Sequence, residues 1–190
     1  MNLNRNQIIL IACALILFGI MMRLMPHAPN ATPIVALAFV GSLYLGRRWS
    51  IILPLVALLL SDLLIGFYDW RVMLSVYGSF ALIGLISWIC RKYNSFLSTG
   101  MTVIAGSLVF FLLTNTAVWF FSPWYEKSIS GLLYSYELGL PFLRNMLIGD
   151  MVYTVALVSL FEIGYLFCLR RHELQNALFP NVTSPFLCNK

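Results

Sequence analysis

Charge is what this chain has least of. Twelve basic and seven acidic side chains make up 10% of its 190 residues, where a soluble domain carries about a quarter. Hydrophobic residues reach 61%, more apolar surface than one water-facing core can hide. The composition therefore excludes an ordinary soluble domain and implies a lipid bilayer as solvent. The formal net charge of +5 does not point to nucleic acid, because the basic residues stand in small groups between apolar runs and form no patch. Cysteine is scarce as well. Cys13, Cys90, Cys168 and Cys188 form no CxxC pair and no metal-ligand spacing, so neither a disulfide framework nor a zinc site is expected, and three of them read as small hydrophobes. There are two histidines, His27 and His172, too few and too far apart for a histidine metal cluster or a Ser-His-Asp relay. HExxH, GxSxG and P-loop patterns are missing, so no enzyme activity, no cofactor and no ATP hydrolysis are expected. Asp62 and Asp150 invite comparison with intramembrane aspartyl proteases, but Leu147-Ile148-Gly149-Asp150 lacks the Gly-x-Gly that precedes their second aspartate.

What the chain has is apolar runs of membrane-crossing length. They fall at about 7–25, 33–46, 49–66, 72–90, 101–121 and 145–169, which predicts an all-α integral membrane protein, a bundle of six transmembrane helices. The six-helix domain takes residues 1–170 and a short tail 171–190. Residues 8–22 resemble a signal-peptide core, but no small-x-small site follows, so this run is expected to stay as a span. The second run is short. Fourteen residues rise only about 21 Å against a hydrocarbon core of about 30 Å, so it must lie inside the bundle or be extended by irregular backbone that protein shields from lipid. Thr32 and Pro33 suit its start, the threonine as cap and the proline in the first turn.

Lys and Arg give the orientation. With a cytoplasmic N-terminus, Arg5, Arg47, Arg48, Arg91, Lys92, Arg170, Arg171 and Lys190 lie inside and Arg23, Arg71, Lys127 and Arg144 outside. Eight against four places both termini in the cytoplasm. The outer stretch from Ser122 to Arg144 is rich in aromatics, as an interfacial belt or a surface helix covering a cavity would be.

With this topology the unusual polar residues gather toward one face. The stretch RLMPHAPNATPIVALAF breaks the first run with three prolines and sets Arg23, His27, Asn30 and Thr32 at the break. Asp62, Trp70 and Tyr77 lie near the same end of the third and fourth runs, Asn115 and Trp119 in the fifth, and Arg144, Asn145 and Asp150 open the sixth. An ionised side chain within a span costs a few kcal/mol unless paired or hydrated. The cluster admits two readings: an outward-facing ligand pocket, or structural ion pairs such as Arg23–Asp62 and Arg144–Asp150. Glu162, in the other half of the last run, stands apart from both.

The order Arg23, Pro29-Asn30, Thr32-Pro33, Ala36, Ser61-Asp62, Gly66, Tyr77, Thr114-Asn115, Trp119, Pro141-Phe142, Asn145 and Gly149-Asp150 resembles a group of bacterial six-span proteins. These in turn resemble the S components of energy-coupling-factor (ECF) vitamin transporters, above all the solitary cobalamin transporters of the BtuM type. The resemblance covers about Arg23 to Asp150. It implies a bacterial inner-membrane protein that takes a small vitamin-like molecule, cobalamin being one candidate, from the outer face. Arg23 and Arg144 would neutralise an anionic group, with Asn30, Asn115 and Asn145 as hydrogen-bonding groups, and Trp70, Tyr77 and Trp119 enclosing the apolar part. Two departures count. The Ala-x-x-x-Ala that serves docking on a shared ATPase module is missing from the first span, where Ala12 is followed by Ile16 and Ala14 by Phe18, which speaks against that partner. No cysteine lies on the outer side to bind cobalt. The alternatives are a non-transporting scaffold subunit of a membrane complex and, further off, a lipid-modifying enzyme acting through Asp62 or Asp150.

Overall fold

The computed structural model describes residues 4–93 and 95–178; Cys188, Lys190 and most of the expected tail lie outside them. The described chain is helical throughout, in the order α1 (Arg5–Leu24), α2 (Ile34–Val40), α3 (Arg47–Ile65), α4 (Trp70–Cys90), α5 (Phe96–Phe121) and α6 (Ile129–Leu178), with a π-helical stretch at Gly41–Leu45 prolonging α2. Five of these helices, all but α2, are long and apolar enough to cross a membrane. Their outer faces carry exposed large hydrophobics, among them Leu10, Leu17 and Met21 on α1, Leu74 on α4 and Met101 on α5. Such a surface suits lipid and is too apolar for water. The chain is a multi-pass membrane protein.

The short second run is the centre of the bundle. Every residue from Pro33 to Ser42 is buried, and α2 packs against α1, α3, α4, α5 and α6. A helix apolar on all sides belongs where no side meets solvent. Its shortness is made up by the irregular stretch before it, whose Ala31 lies where a Cβ on Gly149 of α6 would approach to 3.0 Å. A side chain there would have to push the turn back by a few tenths of an ångström. Thr32 does not cap the helix as expected: Pro33 occupies the cap position, no side chain bonds the first N–H groups, and the threonine is left to face a cavity. At the other end Gly46, with φ of 101°, turns the chain into α3 in a backbone conformation that favours glycine.

Buried serines bring the helices close. Ser42 donates to Phe39 and Ser87 carbonyls, and Ser61 and Ser107 bond the preceding turn of their own helices. Small residues that satisfy themselves in this way allow tight packing in lipid.

The main correction concerns Ser122 to Arg144. Only residues 122–128 connect α5 to α6, and the rest is helix. From Tyr136, which meets Thr116 at 2.7 Å, to Asp150, which meets Ser107, α6 runs antiparallel along α5. Pro141 lies inside this helix. Proline reads as a break in water-soluble sequence, but a membrane helix tolerates it when neighbours satisfy the freed carbonyl. The sixth run therefore starts some sixteen residues before Asn145, and Asp150 sits deep in it. The helix also continues past residue 170 to Leu178.

Helix directions follow from the contacts. Arg23, at the end of α1, meets Asp62, near the end of α3, and Tyr44 after α2 meets Glu162 of α6. The bundle thus has an Asp62 end and an Arg47 end, with Arg5 at the latter.

Candidate functional site

At the Asp62 end three helices are tied by one carboxylate. Asp62 is 1% exposed. Its Oδ1 accepts from Arg23 Nη2 at 2.7 Å and its Oδ2 from the Tyr77 hydroxyl at 2.9 Å. This ion pair, the single one among the described residues, joins α1 to α3, and the tyrosine adds α4. A buried ion pair repays its desolvation when the remaining lone pairs are also hydrogen-bonded, and here both carboxylate oxygens have partners. The expected pair Arg144–Asp150 does not form: Arg144 is exposed, and Asp150 accepts instead from Ser107 Oγ at 2.7 Å.

Beside the Asp62 network lies a cavity of about 260 Å³. Arg23, His27, Asn30, Thr32 and Asp150 supply its polar wall, and Val35, Leu58, Phe80, Phe110 and Met146 part of its apolar wall. Arg23 has only half its guanidinium committed; Nη1 is buried with no hydrogen-bond partner. His27 Nδ1 is 2.6 Å from the Met25 carbonyl. A carbonyl can only accept, so Nδ1 carries a proton and donates it to this contact. Asn30 sits at φ of 64°, a left-handed conformation that asparagine tolerates better than most residues. The Ala31 and Thr32 N–H groups bond back to Ala28 and Asn30 carbonyls, which shapes the turn. Tyr68 completes the rim. Burial and the Asp62 charge push its phenol up to about 12, against a smaller downward pull from Arg23, so at neutral pH it is an uncharged hydroxyl.

Five sequence-selected residues therefore line one cavity, and Asp62 and Tyr77 stand behind one of them. The other five do not line it. Asn115 bonds the Phe111 carbonyl of its own helix and lies against Gly139 of α6. Trp119 Nε1 donates to the Glu126 carbonyl at 2.8 Å, and Lys127 Nζ donates to the Trp119 and Ser122 carbonyls, which staples the short α5–α6 connection. Trp70 is 65% exposed, with the Arg71 guanidinium 5.6 Å from its ring. Arg144 is exposed and Asn145 half-buried. Asp69, near Trp70, caps α4 by accepting from Arg71 and Val72 N–H groups. Phe80, Phe110, Met146 and Ser107 were missed by the sequence reading, since nothing distinguishes them from the lipid-facing residues of the same runs.

A family model described as a family of unknown function, DUF6580, matches residues 3–170. The chain belongs to the DUF6580 family. No curated protein and no solved structure matches it. Membership joins the whole bundle, α1 to most of α6, into one family unit.

Proposed function

We propose that this DUF6580 protein is a six-span transport protein of a bacterial inner membrane, with an S-component-like bundle, that binds a small vitamin-like molecule at the Asp62 end and helps it across. The observation that carries the reading is Arg23 Nη1, buried without a partner in a residue that lines a cavity. A buried donor without an acceptor is costly, and a ligand carboxylate or carbonyl would supply one. His27, Asn30 and Thr32 add groups that fix orientation, and the apolar wall suits a ring or short chain, the usual division of labour in small-molecule sites. Sequence resemblance to S components points the same way. The volume lies just below the range of about 300–1,000 Å³ typical of ligand pockets, which favours a ligand much smaller than a corrinoid over cobalamin. Asp62 and Tyr77 act behind the ligand by holding Arg23, and the excess of basic residues at the Arg47 end supports a cytoplasmic location for it.

Gently purified protein should retain a small molecule detectable by native mass spectrometry. Asn30→Ala and Thr32→Ala change cavity groups outside the Asp62 network and should release it with the bundle still folded. Empty wild-type protein held in a stable complex with another membrane protein would favour the scaffold reading instead.

A further inference from the structure

A second opening approaches the same point from the other end. Between α5 and α6, toward the Arg47 end, lies a groove of about 340 Å³. Five of its seven lining residues are polar: Ser95, Thr99, Thr154, Ser159 and Glu162. Hydroxyls and a carboxylate set together at a helix seam suit water and not lipid tails. Thr154 lines the groove and Asp150 lines the cavity at the Asp62 end, and these two residues are one turn apart on α6, about 5–6 Å between their Cβ atoms. Both are sealed, Asp150 at 1% and Thr154 at 2% exposure. Thr154 Oγ1 has no hydrogen-bond partner, although a helical threonine ordinarily bonds the carbonyl one turn back. Among the described residues no cation lies within ion-pair distance of Asp150. The charged or titratable groups sharing its cavity are Arg23 and His27, from α1 and the turn after it, and Tyr68, from the α3–α4 connection. The cavity-lining residues of α2, α3, α4 and α5 are all apolar, and Ser107 of α5 offers Asp150 a hydroxyl. On the groove side the titratable group is Glu162, held by the Tyr44 hydroxyl at 2.6 Å.

We propose that Asp150 exchanges a proton with water at both ends of the bundle, through the Arg23 cavity on one side and, by way of Thr154, through the α5–α6 groove on the other. A hydronium in the cavity gives its proton to an Asp150 carboxylate oxygen, forming the O–H bond of a neutral acid and leaving water. In the second step that bond breaks as a water bound to the otherwise unpartnered Thr154 Oγ1 accepts the proton and passes one of its own to water in the groove. Charge and atoms balance, no electrons change hands, and the driving force is a proton gradient. An intramembrane carboxyl without a cation among the described residues, set between two openings that carry polar side chains, is the arrangement a proton relay needs. The inference uses the transport reading only for what the proton would drive.

The test uses the full chain in vesicles of one orientation and dicyclohexylcarbodiimide, which modifies protonated carboxyls in apolar surroundings; peptide mass spectrometry locates the adduct. Asp150 should be labelled, at least 10-fold more slowly at pH 9 than at pH 6, and Asp150→Asn should lose the adduct. With pH 6 on one side and pH 9 on the other, labelling should be intermediate whichever side is acidic. In Thr154→Val it should follow the pH on the Asp62 side alone. Labelling of Asp62 instead, no adduct at Asp150, or wild-type labelling that follows one side only would overturn the proposal. No substrate is used, so failure here leaves the ligand-retention experiment to decide the transport reading by itself.

Discussion

Asp62 and Asp150 are equally buried carboxylates with opposite circumstances. Both stand out in the sequence, because an acid inside an apolar run is conspicuous. Only the structure shows that Asp62 has a cation and a phenol on its two oxygens, while Asp150 has one serine hydroxyl. That Arg23, His27, Asn30 and Thr32 would lie together, as they do around the cavity, was legible for the same reason, since they are polar groups crowded at a helix break. Phe80 and Phe110 were not, since an aromatic facing a cavity and one facing lipid look alike in a chain this apolar. Truncating Asp62 leaves the Arg23 guanidinium without its counter-charge, so Asp62→Ala should lower stability by about 3–5 kcal/mol, as for other broken buried pairs. Tyr77→Phe removes one hydrogen bond to the carboxylate and should cost about 1–2 kcal/mol. Thermal unfolding in detergent would check the order of the two; equal effects would deny the ion pair its dominance. Tyr68 supplies a pH test. Its folded-state phenol is raised to about 12 from an ordinary value of about 10, so the stability it contributes is fully present below pH 10 and is lost as pH rises through about 12. Tyr68→Phe should flatten that alkaline limb and leave stability at pH 7 nearly unchanged.

Helices behave as their neighbours permit, and α4 shows it within six residues. A Cβ on Gly84 would lie 2.4 Å from the Ser50 carbonyl oxygen of α3, whereas one on Gly78 would meet nothing within 4 Å. Gly84→Ala should therefore force α3 and α4 apart at a cost of about 1–3 kcal/mol. Gly78→Ala should be neutral or mildly stabilising, since alanine is the better helix former by about 1 kcal/mol. If unfolding midpoints of the two variants shift alike, the close α3–α4 contact is not what glycine serves. The same dependence on neighbours explains what was legible among the elements. The length of the second run left it either packed inside the bundle or extended by irregular backbone, and α2 with the turn before it shows both. The Ser122–Arg144 stretch misled because Gly131, Gly139 and Pro141 look like loop punctuation. Gly139 instead admits Asn115 and Phe111 of α5, each within 2.7 Å of where its Cβ would be, so the glycine belongs to a helix–helix seam.

At the scale of the molecule, one asymmetry connects packing and charge. The Asp62 end carries the cavity, and its basic residues are scattered: Arg23 is half-buried in an ion pair, and Lys127 serves backbone carbonyls. Arg5, Arg47, Arg48, Arg91 and Lys92 flank helix ends at the opposite pole. There Arg47 lies over Trp88 at 4.4 Å and Lys92 over Tyr93 at 4.8 Å, so these cations are anchored among aromatics of the kind that mark a bilayer interface. In the proposed orientation, which follows the positive-inside rule, the Arg47 pole faces the cytoplasm and the cavity opens outward. The chain crosses between poles six times only if residues 25–45 count as one crossing, half helix and half irregular. That count puts the C-terminus on the N-terminal side. A fluorescent protein fused to the C-terminus should fluoresce in the cytoplasm, and a phosphatase inserted after Trp124 should be active outside. An inactive phosphatase at Trp124 with an external C-terminus would invert the bundle and make its cavity a site for cytoplasmic ligands. A C-terminus on the side opposite Arg5 would instead show that residues 25–45 enter and leave by the same face.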